Sequence, residues 1–379
     1  MYFVEKTKGI NKAKRFDYML FIAVVLLTAI GLAAVYSATR KMPGNVNGNR
    51  MMLTQLAGLA VGMVCSFIFC WMDYKDLKSL GYVFYAGTIM LLIAVIFFGT
   101  GEDIGSRSWL RIGGISFQPS ELAKIAFIIV TAIYFEKIKD NNYTKKDILK
   151  LIIYASIPMG FILGQKDFGT LIVFVVIIFS MIFVCGLPYK YLIAIGGLFL
   201  ASLPILWFYV LNDKRKARIW VFLKPESDPM GSGYNVLKSK IAIGSGQLWG
   251  QGLTKGLQTQ NMGVPVRESD FIFTVIGEEL GFIGSIAVII LIFFILLKCL
   301  YIAANASDSY GMFLVTGVVG YFAFHTFENI GMTLGVLPVT GVPLPFVSHG
   351  ATSMIANYMG IGLALSVSMR RHRTLFKDD

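Results

Sequence analysis

Ten predominantly apolar runs alternate with polar intervals along the chain, at residues 17–37, 51–71, 79–98, 119–138, 148–165, 168–186, 190–211, 271–297, 309–336 and 350–369. As helix, a run of about twenty residues crosses a hydrocarbon core of roughly 30 Å. The pattern therefore predicts an all-α polytopic membrane protein with ten transmembrane helices, forming one integral membrane domain over residues 1–379. The fifth and sixth runs are parted only by Lys166 and Asp167, and the ninth is long enough to tilt or break. The basic opening leads straight into the first run with no small-residue cleavage site, as expected of a retained span rather than a signal peptide. One interval breaks the rhythm. Residues 212–270 form a long polar stretch between the seventh and eighth runs, and loops of such length tend to carry function. Within it, Arg218 to Phe222 mixes apolar and basic residues as an interfacial helix would, and PESDPMGSG breaks structure. Tyr234 to Ile243 reads as a short amphipathic helix burying Val236, Leu237, Ile241 and Ile243.

Composition agrees with the pattern, and charge adds an orientation. Of the 379 residues, 56% are hydrophobic and 15% charged, whereas soluble domains carry about a quarter charged residues. With the N-terminus inside, the inner segments hold 18 lysines and arginines and the short outer loops 6, which predicts an N-in, C-in topology. The 212–270 loop then lies outside, carrying nine more basic residues. Long loops translocate largely regardless of charge, and a basic outer loop suits anionic lipid headgroups or an anionic substrate. The net charge of +12 is spread between apolar runs rather than gathered on one face, so a nucleic-acid partner is not expected. Cys65, Cys70, Cys185 and Cys299 lie in or beside apolar runs without zinc spacing, as packing residues do.

Ionisable groups inside spans are costly and mark candidate sites. In QPSELAK, Glu121 and Lys124 are three apart on one helix face. They form either a structural ion pair or the polar floor of a water-accessible cavity in which Lys124 meets an anion. Arg107 and Arg111 flank Trp109 in GSRSWLRIGG, fit either for interfacial anchoring or for gripping phosphate. Asp167, in the turn QKDFGT, is either the cap of the sixth helix or part of a buried ion pair. Asp270 closes the polar loop at the mouth of the eighth run, with Glu278 and Glu279 two turns deeper. It is either a helix cap or a base at the membrane–water boundary. His325 and Glu328 share a face of the ninth run, for proton relay or hydrogen-bonded packing. LPVTGVPLPFVSHGATS, with three prolines, suits a broken segment buried in protein. There is no phosphate-binding P-loop, no GxSxG elbow and no HExxH, which disfavours an ATP-driven pump or a serine hydrolase.

Together GSRSWLRIGGISFQPSELAK, QKDFGT, RIWVFLKPESDPMGSGY, KSKIAIGSGQLWGQGL, GVPVRESDFIFTVIGEELGFIG and FENIGMTLGVLPVTGVPLPFVSHGATS resemble the SEDS family (shape, elongation, division, sporulation), the RodA/FtsW/SpoVE group, with NIGMTLG closer to the RodA branch. The resemblance implies a peptidoglycan glycosyltransferase of the bacterial cytoplasmic membrane that polymerises lipid II at the outer face, working with a class B penicillin-binding protein. It places the essential acidic residue on Asp270, the intramembrane pair on Glu121 and Lys124, the outer-loop arginine on Arg218 and the Q-P-D-x-G aspartate on Asp167. Lys166 stands where the family has proline, Lys238 where a glutamine is common, Glu268 where histidine or glutamine is frequent, and His349 and Ala351 alter the usual S-Y-G-G. The expected reaction is an inverting transfer with Asp270 as general base. Arg218, Lys240, Lys124 or Arg111, with or without a divalent Mg or Mn ion, would stabilise the polyprenyl pyrophosphate leaving group. The alternatives are a flippase for the lipid-linked precursor and a scaffold that only recruits the penicillin-binding protein.

Overall fold

A computed structural model describes residues 16–41, 48–101, 106–112, 115–186, 231–261 and 263–371, with isolated positions between 187 and 230. The seventh predicted run and Arg218 therefore lie outside the described residues, apart from scattered positions in that run. The described chain is a helical bundle. Its elements are α1 (Tyr18–Thr39), α2 (Gly48–Trp71), α3 (Leu77–Phe98), a hairpin of β1 (Leu110–Ile112) and β2 (Ile115–Phe117), α4 (Pro119–Lys139), α5 (Lys145–Gly164) and α6 (Phe168–Cys185). After the polar interval come α7 (Ser232–Ser245), the single turn α8 (Leu257–Gln260), α9 (Ile272–Glu279), α10 (Gly281–Ala304), α11 (Ser309–Thr333) and α12 (Ala351–Arg370).

Local chemistry fixes many of the starts. Asp17 accepts from the Leu20 N–H and Asp308 from the Gly311 N–H. Thr144 and Asp147 form a reciprocal capping box at α5, and Pro119 occupies the first turn of α4, where its missing N–H costs nothing. Among the described residues, seven helices are long and apolar enough to cross a membrane: α1, α2, α3, α5, α6, α10 and α11. α4 and α12 complete the set of long helices with a different exposure: α4 is buried continuously from Ala123 to Phe135, and α12 from Ala356 to Met369. They are the inner helices, which is why they can carry Glu121, Lys124 and Asn357. α2 packs on α12 through a stripe of small residues four apart. A methyl on Gly58 would sit 2.6 Å from the Ala351 Cα, and one on Gly62 would sit 3.2 Å from the Tyr358 Cβ, the small-residue packing that lets membrane helices approach.

Two expectations are corrected. The eighth run is not one helix from residue 271. It breaks at Gly281, which adopts φ +70°, into the wholly buried α9 and the lipid-facing α10. In α7, Val236, Ser239 and Ala242 are buried, while Leu237 and Ile241 are 50% and 46% exposed. Ser239 turns inward because its hydroxyl bonds Thr274 Oγ1 and donates to the Thr333 carbonyl at 2.8 Å, and that rotates the two large apolar residues outward.

The Gly58 contact gives a direct test. Gly58→Ala drives a methyl into the α12 backbone, and overpacking of this kind costs about 1–3 kcal/mol. Gly87→Ala in α3 meets nothing within 4 Å. Thermal unfolding in detergent should fall for the first variant and hold or rise for the second.

Candidate active site

The polar end of the bundle is organised by residues 334–350, which run without helix or strand between α11 and α12 while Val342, Leu344, Phe346 and Val347 are buried. Irregular backbone away from water needs partners for its N–H and C=O groups. α11 holds the segment through three polar residues, two of them bonding its backbone carbonyls. His325 Nδ1 bonds the Pro343 carbonyl at 3.0 Å, Glu328 Oε1 accepts from Thr340 Oγ1 at 2.7 Å, and Asn329 Nδ2 donates to the Val342 carbonyl at 2.8 Å. α2 adds Gln55, whose amide donates to the Ser348 carbonyl and accepts from the Gly350 N–H.

This segment in turn holds Asp270. Asn329 Nδ2 also donates to the Asp270 carbonyl at 2.8 Å, Ser348 Oγ donates to the Ser269 carbonyl at 2.7 Å, and the His349 N–H donates to the Glu268 carbonyl at 2.9 Å. Three consecutive carbonyls before α9 are thus fixed by the 334–350 segment and α11. The Asp270 side chain, half-buried, lies against Gly341: a methyl there would stand 3.2 Å from Asp270 Oδ2. Gly341 has φ +78°, so glycine meets both the backbone and the space requirement. Lys240 lies in the same way over Gly335, where a methyl would meet its Cε. Asp270 and Lys240 therefore face two turns of one segment.

Beneath it, Lys124 and Glu121 form a buried ion pair at 2.8 Å. Lys124 Nζ also lies 2.9 Å from His325 Nε2. An ammonium only donates, so Nε2 accepts and the imidazole proton sits on Nδ1, facing the Pro343 carbonyl. The Tyr321 hydroxyl donates to Asn357 Oδ1 at 2.7 Å and stands 3.3 Å from Glu121 Oε2, with the Lys124 ammonium 4.5 Å from its ring centroid. Glu121, Lys124 and His325 thus form one buried chain from the core of α4 to the backbone beside Asp270.

The other expected residues divide. Asp167 is the cap of α6, its Oδ1 accepting from the Thr170 N–H, with Gln118 Nε2 reaching Oδ2 at 3.4 Å. Arg107 Nε donates to the Gly99 carbonyl, closing the junction between α3 and the hairpin. Arg111 is exposed on β1, paired in register with Ser116. Glu278 accepts from the N–H groups of Gln258 and Thr259, and Glu279 from Ser37 Oγ and the Thr254 N–H, so both stitch the loop onto α9. Arg267 Nε donates to the Ala38 carbonyl at the end of α1. Its burial draws the guanidinium below its ordinary range, opposed by Glu268 and Glu278.

Asn329, Gln55, Tyr321 and Ser348 had no role in the sequence reading. The signal for two of them is periodic: Tyr321 and Asn329 flank His325 at four-residue steps along an otherwise apolar span, which puts all three on one face. Among the described residues no three His, Cys, Asp or Glu side chains converge as a metal site.

The fold and site define a multi-pass helical membrane protein with a polar centre at one end of its bundle. The model of the FtsW/RodA/SpoVE cell cycle proteins matches residues 17–373, and the chain belongs to that family. It is 34% identical to the peptidoglycan glycosyltransferase MrdB of Escherichia coli K12 over 365 residues, covering 96% of this chain and 98% of the relative. Its fold matches a chain of a peptidoglycan synthase complex described as coordinating polymerization and crosslinking, with a TM-score of 0.76 and 29% identity over 93% of this chain and 97% of the other. It also matches the rod shape determining protein RodA of Thermus thermophilus, with a TM-score of 0.68 and 26% identity over 94% and 98% of the two chains.

Breaking the buried pair from one side should be worse than removing it. Lys124→Met strands the Glu121 carboxylate and should lower unfolding free energy by about 3–5 kcal/mol. Adding Glu121→Gln should restore most of that loss in a double-mutant cycle read by unfolding in detergent.

Proposed function

We propose that this chain is a peptidoglycan glycosyltransferase that polymerises lipid II at the outer face of the bacterial cytoplasmic membrane, in elongation or division, alongside a class B penicillin-binding protein. The names of its relatives support the activity, and the synthase-complex neighbour supports a crosslinking partner. The observation that carries the reading is the position of Asp270: its backbone is clamped by Asn329, and its carboxylate lies against Gly341 at the end of the polar loop.

In this reading the 4-hydroxyl of an incoming lipid II sugar attacks the anomeric carbon of the lipid-linked strand. The new oxygen–carbon bond forms on the face opposite the pyrophosphate, whose bond to that carbon breaks with its electron pair. Asp270 takes the hydroxyl proton, a positioned base of the kind that contributes about 10²–10⁴-fold. The leaving polyprenyl pyrophosphate is anionic from the outset, so the protein's task there is charge stabilisation. Lys240, which lies against the same segment as Asp270, is a described candidate, with Arg111 and Arg218 as further cations. Lys124 is already committed to Glu121 and His325 and acts by fixing the Pro343 carbonyl. Asp167, capping α6, and Arg107, bonded to the Gly99 carbonyl at the end of α3, position the outer end of the bundle. A divalent Mg or Mn ion would take most of its ligands from the pyrophosphate oxygens, since the described carboxylates do not converge on one.

The test separates chemistry from scaffold. Asp270→Asn keeps the backbone carbonyl that Asn329 holds, so thermal stability should stay near wild type. Lipid II polymerisation by the purified protein with its transpeptidase partner should fall about 10²–10⁴-fold. Polymer made at a near wild-type rate by Asp270→Asn would remove the base assignment. Absence of any polymer from the wild-type pair, with precursor moved across vesicles instead, would favour the flippase.

A further inference from the structure

The outward face of the loop before Asp270 is apolar. Leu248, Trp249, Leu253 and Leu257 are exposed, Trp249 by 80%, and Leu237 and Ile241 on α7 turn outward as well. Exposed apolar side chains gathered this way need a covering medium, and the backbone says which. The N–H groups of Phe282 and Ile283, at the first turn of α10, donate to the carbonyls of Gln247 and Leu248 at 2.8 and 3.2 Å. Those bonds satisfy donors that a helix start leaves open, and they fix the Leu248–Trp249 turn to the end of a membrane-spanning helix. Phe282, Ile283 and Ile286 on that end are themselves exposed apolar residues on the lipid-facing surface. The patch is therefore continuous with the bilayer-facing surface of α10.

A second observation lies directly beside it. Leu253 overhangs a groove of about 310 Å³ between α1 and the α9–α10 junction, lined by Ala29, Ala33, Val275, Ile276 and Leu280. Glu279 borders this groove, but its oxygens are bonded to Ser37, Thr254, Gly256 and Gln260. The space left between the helices is that for a hydrocarbon chain.

We propose that the 247–257 turn is an interfacial anchor. Leu248, Trp249, Leu253 and Leu257 insert among phospholipid acyl chains of the leaflet at this end of the bundle, and the α1 groove takes one chain. The indole of Trp249 sits at the headgroup level, where an aromatic ring with one polar atom is favoured. Glu278 and Glu279 carry the anchorage to α9, whose first turn follows Asp270. The depth of the turn in the bilayer thus sets the height of Asp270 above the lipid surface. This inference rests on α10 spanning the membrane and stands whether or not Asp270 is the base.

Site-directed spin labelling tests it. In protein lacking Cys65, Cys70, Cys185 and Cys299, Trp249→Cys, Leu253→Cys and the exposed control Lys255→Cys are labelled singly. They are reconstituted in vesicles of phosphatidylethanolamine and phosphatidylglycerol, without any partner protein. Collision with oxygen should exceed collision with a water-soluble nickel chelate at 249 and 253, with the order inverted at 255. Leu257→Cys gives a third patch position if either variant fails to reconstitute. Nickel accessibility at 249 and 253 equal to that at 255 would overturn the anchor. Protection that arises only when the transpeptidase is added would also overturn it, because the patch would then be a protein-docking surface.

Discussion

The structure depends on one constraint: within the irregular segment 334–350, the backbone of residues 342–348 is largely buried, away from water. Three polar residues of α11 answer to that stretch. His325, Glu328 and Asn329 take Pro343, Thr340 and Val342 in turn, and Asn329 extends the same amide to the Asp270 carbonyl. An unsatisfied buried carbonyl costs about 1–3 kcal/mol, so these bonds fix the shape of the segment, and the segment fixes the approach to Asp270. The candidate base is held through its backbone carbonyl by Asn329.

The charges divide between the two ends of the bundle. At the end away from Asp270, Lys78–Glu136, Lys137–Asp147, Lys75–Asp308 and Arg370–Asp73 tie helix ends together in partly exposed pairs, each worth little alone. The Lys124–Glu121 pair is different. It is buried in α4 and reaches the active end through His325, so its loss would disturb the Pro343 carbonyl as well as the core. Burying such a pair is expensive; here it is bonded on both sides by Tyr321 and His325, which makes it a positioning device for the segment above.

Much of this was legible along the chain. Run length and apolarity marked nine of the long helices now described, because a helix facing lipid has to be apolar for about twenty residues. α4 and α12 were found by the same rule, although they face protein rather than lipid. The candidate residues Asp270, Glu121 and Lys124 stood out by motif resemblance and by the cost of charge in a span, and the Glu121–Lys124 pair is present as an ion pair. Two features were not. Leu237 and Ile241 look like the buried face of α7 by spacing, but the inward bonds of Ser239 rotate them outward, and a periodic pattern cannot tell lipid from protein core. Glu278 and Glu279 stand two turns beyond Asp270 in the sequence, but nothing in the spacing tells that they accept from loop N–H groups some twenty residues upstream.

The sequence by itself determined the class of protein and nine of its long helices, and it singled out Asp270 as the candidate base, because hydrophobic length, charge spacing and motif strings are local properties. Only the tertiary structure decided that Asn329 clamps Asp270, that His325 joins Lys124 to Pro343, and that the turn at Trp249 is fixed to the end of α10. Each of those joins groups between about 35 and 200 residues apart in the chain or pairs a side chain with a backbone carbonyl, and no spacing rule in a linear sequence encodes which carbonyl a buried amide will meet.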